Sequence, residues 1–297
     1  MIYDVAHVTT YRYEEQVASA TCTLRLTPMR TADQAVLSSA IEVHPPPASR
    51  RTRSGFFGAR TDEIRIDTPH RELRIEARSR VEVQTVRQPS LLAEPAWEEV
   101  RDAAARSDSL APSAPVHHLF PSPFVAFSDP MTRYAAKSFP AGAGVVEGAL
   151  ALMRRIKADF VYDPRATQVT TLPFQAFERR RGVCQDFAHV MIAGLRGLGL
   201  PAAYVSGYIR TTPIGGTRLQ GSDATHAWVS LWCGPDIGWI GLDPTNGIRA
   251  GDDHIQLALG RDYADVAPVT GIILGSGAQR LTVAVDVIPL GAAPVDG

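Results

Sequence analysis

The chain has 297 residues, 45% hydrophobic, 21% charged and 7% aromatic, an ordinary make-up for a folded protein of about two domains. Thirty basic residues against 31 acidic ones leave a formal charge of −1, which argues against a groove for nucleic acid or a surface for anionic lipid. A chain of this length buries enough apolar surface to need no metal or disulfide staples.

Its three cysteines, Cys22, Cys184 and Cys233, cannot all pair, and no CxxC, HExxH or Cys/His spacing of the zinc type occurs. Neither a metal nor a cofactor is therefore expected. No apolar run approaches the roughly 18–20 residues of a membrane span. Met1-Ile2-Tyr3-Asp4 leads straight into polar alternation without a signal segment, so the expected compartment is the bacterial cytoplasm. All basic residues but Lys137 and Lys157 are arginine, which reads as GC-rich codon usage.

Residues 1 to about 85 read as successive strands at Ile2–Tyr13, Thr21–Leu26, Val36–Val43, Glu63–Ile66 and Leu73–Val83. Pro45-Pro46-Pro47 closes the third run, and Arg50–Arg53 reads as a solvated loop or edge. An N-terminal all-β domain over 1–88 follows. Residues 89–143 then read as a linker with short helices, one after Pro95 and one opened by Asp129-Pro130, separated by a proline-rich crossing segment. Residues 144–297 form the remaining domain, with a C-terminal β extension. It opens with a core helix over 144–160 that carries no chemistry.

The informative stretch is Gly182-Val183-Cys184-Gln185-Asp186-Phe187-Ala188-His189. Phe187, Ala188, Met191, Ile192 and Leu195 recur at helical spacing until Gly197 and Gly199-Leu200-Pro201 stop the helix. Cys184 thus stands in the first turn, where unpaired N–H groups and the helix dipole favour a thiolate and can hold an oxyanion. Asp186 complements that same turn. A lone cysteine is more often inert core, so Cys184 needs a base.

Downstream, His226–Trp232 and Trp239–Asp243 read as strands around the turn residues Gly234–Gly238. Folding this hairpin about its middle sets position 226 opposite, or nearly opposite, position 243. Facing residues share a side, with Cβ atoms roughly 4.5–5.5 Å apart. Asp243 can then fix the tautomer of His226. A surface histidine and a turn-forming Asp-Pro would suit the same spacing equally well. His189 lies about 140° round the helix from Cys184 and suits a packed or capping role. His7, His44, His70, His117, His118 and His254 show no partner pattern.

The Gly182–His189 block resembles the bacterial transglutaminase-like superfamily, as do Ala203–Gly207, Asp223–Trp228 and Gly241-Leu242-Asp243-Pro244-Thr245-Asn246. Gly260–Pro268 is similar to the C-terminal block of the subfamily with an N-terminal β module, a cysteine-protease type. The resemblance implies an α+β fold: a papain-like or transglutaminase-like core, with the helix carrying the cysteine packed on an antiparallel sheet. It implies Cys184 as nucleophile, His226 as base and Asp243 as the orienting carboxylate. The tryptophan that animal transglutaminases place near the oxyanion has no counterpart, since no Trp lies between Trp97 and Trp228. The expected activity is amide acyl transfer through a thioester, with hydrolysis of a peptide or isopeptide bond favoured and a peptide or protein amide as substrate. Transfer to an amine, or a non-catalytic peptide-binding module, are the alternatives.

Overall fold

The computed structural model describes residues 1–84, 94–210 and 224–290. The expected boundary at 88/89, Asp223 of the third motif block and the terminal residues 291–297 lie outside them.

The N-terminal part is a β-sandwich of β1 (Ile2–Val17), β2 (Ser19–Leu24), β3 (Gln34–His44), β4 (Ser49–Ser54), β5 (Arg60–Ile66) and β6 (His70–Val83). Inward-facing Val17, Leu24, Ile64, Ile66, Leu73 and Ile75 build its core. The arginine-bearing run is an exposed edge strand, β4, in which Arg50 pairs with Asp62 at 3.1 Å. The last strands, β14 (Val269–Leu274) and β15 (Gln279–Leu290), join this sandwich. The two sheets run β15-β1-β6-β3 and β14-β2-β5-β4. The C-terminal extension expected for the second domain therefore completes the first. The reason is the 16-residue β1: only one of its edges is covered by β6, and β15 satisfies the other from Ile2↔Leu290 to Tyr13↔Gln279.

The second part follows as α1 (Trp97–Ala105), a 3-10 turn (Pro115–His118), α2 (Asp129–Ala136), α3 (Val145–Asp159) and β7 (Val161–Tyr162). Next come α4 (Pro173–Arg179), β8 (Arg181–Gly182), α5 (Cys184–Gly197), β9 (Ala202–Ile209), β10 (Ala224–Trp232) and β11 (Trp239–Asp243). Short β12 (Ile248–Arg249), β13 (His254–Gly260) and α6 (Tyr263–Val266) complete it. Strands order as β12-β11-β10-β9-β13, and their pairings are antiparallel. The apolar side of α5, including Phe187, Met191 and Leu195, packs with Val229, Leu231, Ile240 and Leu242 of the sheet.

Val100 of α1 and Met131, Tyr134 and Ala135 of α2 enter this same core. The described helices of the expected linker are thus core elements, because each carries an apolar face that needs burial. Helix α4 was not anticipated; at seven residues it is too short to show a period. Among the described residues, no helix is long and apolar enough to cross a membrane.

Gly207 on β9 allows the close approach of two other groups. A Cβ there would overlap the Ile255 carbonyl oxygen and the Trp228 ring. Gly207→Ala is therefore expected to cost about 1–3 kcal/mol and displace Trp228. Thermal denaturation and near-UV circular dichroism check both effects.

Candidate active site

The approach to Cys184 is set by Arg180, which caps α4 in the left-handed region at φ 53°. Its guanidinium lies 4.0 Å from the ring centre of Phe177 and 4.6 Å from that of Tyr134, which offsets the backbone cost. The chain passes through β8 beside β7 and enters α5 at Cys184. Buried Asp186 reaches back to accept the Val183 N–H at 2.8 Å and the Thr167 hydroxyl at 2.6 Å, tying down the first turn as expected.

Cys184 is half-buried, whereas Cys22 and Cys233 are buried. Burial raises the Cys22 thiol and pushes Cys233 up to about 12, so neither is a ready nucleophile. His189 is buried under Phe124 and Tyr204, and its Nε2 accepts the Tyr263 N–H at 3.2 Å at the start of α6. It both packs and caps.

Alternation along β10 sends Ala227, Val229 and Leu231 into the core with α5 and puts His226, Trp228 and Ser230 on the other face. The hairpin pairs Val229↔Leu242 and Trp232↔Trp239. Continuing that register sets Asp243 opposite Trp228, two residues from the expected partner. The near-opposite placement follows from the turn 233–238, whose centre lies one residue beyond that of the 226–243 span. His226 is then the diagonal neighbour of Asp243 on one face, still within side-chain reach. The ring bridges the gap: His226 Nε2 donates to Asp243 Oδ2 at 2.7 Å. The Cys184 thiol is within hydrogen-bonding reach of the same ring, and with Nε2 committed, Nδ1 is the nitrogen left for it.

Two further residues complete the array. His254 Nε2 lies 3.2 Å and Asn246 Nδ2 2.6 Å from Asp243 Oδ2, while Asp243 Oδ1 accepts the backbone N–H groups of Thr245 at 2.9 Å and Asn246 at 3.1 Å. Asn246 belongs to the block quoted above, but its role was not legible there. His254 stands eleven residues after Asp243 and arrives from β13, so only strand pairing brings it in.

Burial alone would pull His226 down. The hydrogen bonds and charges of Asp243 and Cys184 outweigh it and raise the imidazole to about 9. Burial would raise Asp243, but hydrogen bonds from His226 and His254 hold it well below the ordinary carboxylate range. A raised histidine pKa stabilises the fold fully below its unfolded value of about 6.5, and that stabilisation is lost as pH rises through about 9. The melting temperature of the protein is expected to fall between pH 7 and 9.5 more steeply than that of His226→Gln, measured by pH-dependent thermal melts.

His226, Asp243 and His254 hold ligand-type atoms within 4.8 Å of one another. The tautomer argues against a metal there. Gly251 N–H donates to His254 Nδ1 at 3.3 Å, so the ring proton sits on Nε2 and faces Asp243. A metal on Nε2 would force that proton onto Nδ1, against another donor. The cluster is arranged to hold protons.

A half-exposed thiol at a helix start, an imidazole on a neighbouring strand and a buried carboxylate behind it can carry out nucleophilic acyl chemistry. Residues 3–82 match the bacterial transglutaminase-like N-terminal region, and residues 132–244 match the transglutaminase-like superfamily. An uncharacterized protein of Mycobacterium tuberculosis (strain H37Rv) is 38% identical over 295 residues, covering 97% of this chain and 92% of the relative. The chain belongs to the transglutaminase-like superfamily. A protein-glutamine gamma-glutamyltransferase of Pseudomonas aeruginosa is 36% identical over 100 residues, 32% of this chain and 15% of that protein. The crystal structure of a candidate cysteine protease from Cytophaga hutchinsonii shares the fold, with a TM-score of 0.75 at 23% identity over 99% of this chain and 93% of that one.

Proposed function

We propose that this protein is a cysteine-dependent amide acyl-transfer enzyme that hydrolyses a peptide or isopeptide bond through a thioester. The observation that carries the reading is the position of His226, held between the Cys184 thiol and the Asp243 carboxylate.

In this mechanism the proton of the Cys184–His226 pair already rests on the imidazole, whose pKa is raised to about 9, and the sulfur attacks the amide carbonyl carbon as a thiolate. Backbone N–H groups at the start of α5 hold the oxyanion. The C–N bond breaks as His226 returns the proton to the leaving amine, which leaves an acyl thioester on Cys184. Water attacks the thioester and gives its proton to His226. The C–S bond then breaks, releasing the carboxylic acid and regenerating the thiolate–imidazolium pair. Asp243 stabilises the imidazolium in each half and keeps Nδ1 turned towards sulfur.

The partial likeness to a protein-glutamine gamma-glutamyltransferase favours a second reading, in which a primary amine replaces water. The test joins intact-mass spectrometry with an acceptor assay. Iodoacetamide is expected to label Cys184 ahead of Cys22 and Cys233, and His226→Ala is expected to slow labelling and cut amide turnover about 10²–10⁴-fold. Equal labelling of wild type and His226→Ala would sink the catalytic reading in favour of a peptide-binding module. Incorporation of dansylcadaverine into a glutamine-containing protein, in excess over acid release, would select transfer over hydrolysis.

A further inference from the structure

Two imidazoles share one carboxylate oxygen in this site. His226 on β10 donates from Nε2 to Asp243 Oδ2 at 2.7 Å, and His254 Nε2 lies 3.2 Å from the same oxygen, arriving from β13. The sheet order explains how they meet. Strand β9 runs between β10 and β13, with Gly207 opposite His226 and Ile209 opposite His254. Positions two apart on a strand share a face, so both rings stand on the same side of the sheet. Gly207 has no side chain to hold them apart.

His254 is held as a donor. Its backbone N–H donates to the Gly251 carbonyl at 2.9 Å, and the Gly251 N–H donates to its Nδ1 at 3.3 Å. One short turn thus fixes the ring and leaves its proton on Nε2, while Trp228 meets it edge-on with ring centres 5.2 Å apart. Asn246 Nδ2 takes the same Asp243 oxygen at 2.6 Å, and two backbone N–H groups take the other oxygen. Asp243 therefore stays anchored without His254. What His254 adds is the positive end of a second N–H dipole, on a ring centred 6.0 Å from that of His226. That dipole stabilises the carboxylate and opposes a positive charge on His226. The other titratable neighbours are Cys184 at the start of α5 and Asp253 beside His254, which pairs with Arg210 at 3.1 Å and accepts the Tyr3 hydroxyl at 2.9 Å. Arg249 and Asp252 lie on the segment between β11 and β13, and Lys157 of α3 packs its stem against Gly247.

We propose that His254 is a positioning residue for acyl transfer, an inference that rests on the reading above. By sharing Asp243 Oδ2 it limits the carboxylate's hold on the His226 imidazolium, so that the proton can still leave with the departing amine. A general acid works best when its pKa lies near the working pH. Against the pull of burial, Asp243 and Cys184 already hold His226 at about 9, and an undivided carboxylate would hold the proton tighter still. Charge sharing and mere support have opposite consequences. If His254 divides the carboxylate's charge, losing its N–H strengthens the imidazolium, and the thiolate forms at lower pH. If His254 only props the site, losing it loosens His226, and the thiol returns towards its ordinary range.

Iodoacetamide labelling of Cys184 in the full chain, followed by peptide mass from about pH 4 to 10, reads the midpoint of thiolate formation. His254→Leu is expected to lower that midpoint by about half a unit or more. His254→Gln, which restores an N–H near the place of Nε2, is expected to bring it back to within about 0.2 of wild type. Neither variant keeps the Nδ1 acceptor for Gly251, so their comparison isolates the shared donor. A second measurement needs no variant: long-range proton–nitrogen NMR of the histidine-labelled wild type at neutral pH is expected to show His254 as the neutral Nε2–H tautomer. A midpoint unchanged or raised in His254→Leu, no return in His254→Gln, or any other state of the His254 ring would each overturn the proposal. His226→Ala, run alongside, is expected to raise the midpoint towards about 8.5. No shift in His226→Ala would sink the acyl-transfer reading and this role with it. A shift there without one in His254→Leu would overturn the role of His254 alone.

Discussion

Asp243→Ala is expected to destabilise the protein by about 3–5 kcal/mol, the range for uncoupling a buried ion pair. Asp243 is fully buried and accepts from His226, His254, the Asn246 side chain and the backbone N–H groups of Thr245 and Asn246. Alanine leaves all of these donors facing a void, at roughly 1–3 kcal/mol each before relaxation. Asp243→Asn preserves the shape and loses less stability, but its amide sets an N–H against one of the donors and no longer balances an imidazolium. Amide turnover is expected to fall roughly 10²–10⁴-fold in that variant. Urea denaturation of the two variants, with turnover of Asp243→Asn, separates the structural loss from the chemical one. A loss under about 1 kcal/mol for Asp243→Ala would contradict the network described here.

Arg196→Ala is expected to cost a similar amount, about 3–5 kcal/mol, for a different reason. Arg196 lies in the last turn of α5 with 2% of its surface exposed. Its Nε and Nη2 donate to the Ala202 carbonyl at 3.1 and 2.8 Å, Nη1 to the Phe120 carbonyl at 3.0 Å and the Ser122 hydroxyl at 3.1 Å, and Nη2 also to the Arg261 carbonyl at 2.6 Å. One side chain thus ties the helix of Cys184 to β9, to the proline-rich segment and to the turn before α6. Burial lowers the guanidinium to about 10, which leaves it charged at neutral pH and favourably placed at the helix C-terminus. Arg196→Lys is expected to recover only a minor part, because an ammonium lacks the planar fork that reaches several acceptors. Equilibrium unfolding of the two variants measures this, and full recovery by lysine would show that charge alone is at work.

Strands β1, β2, β3, β5 and β6 were legible because one face of each is largely buried and side chains alternate, whereas β4, exposed along its whole length, reads as a loop or edge. Helix α5 was legible through its apolar spacing and its glycine stop. Short elements such as α4 left no periodic trace. The proline-rich segment read as extended, and its 3-10 turn carrying His118 depends on burial against Phe57 and Trp239.

Local chemistry in the sequence determined that Cys184 opens a buried helix, that His226 and Asp243 lie on adjacent strands, and which family the motif blocks resemble. These are short-range properties, set by turn residues, by periodicity and by the order of the blocks. Only the tertiary structure decided which residue faces Asp243, because register depends on where the turn closes and a shift of two keeps the same face. It likewise decided that His254 joins the site, that β14 and β15 return to the N-terminal sandwich, and that α2 packs into the catalytic core. Each of these rests on contacts between residues far apart in sequence. Such contacts are chosen by which open strand edge or apolar face remains to be covered once the local elements have formed.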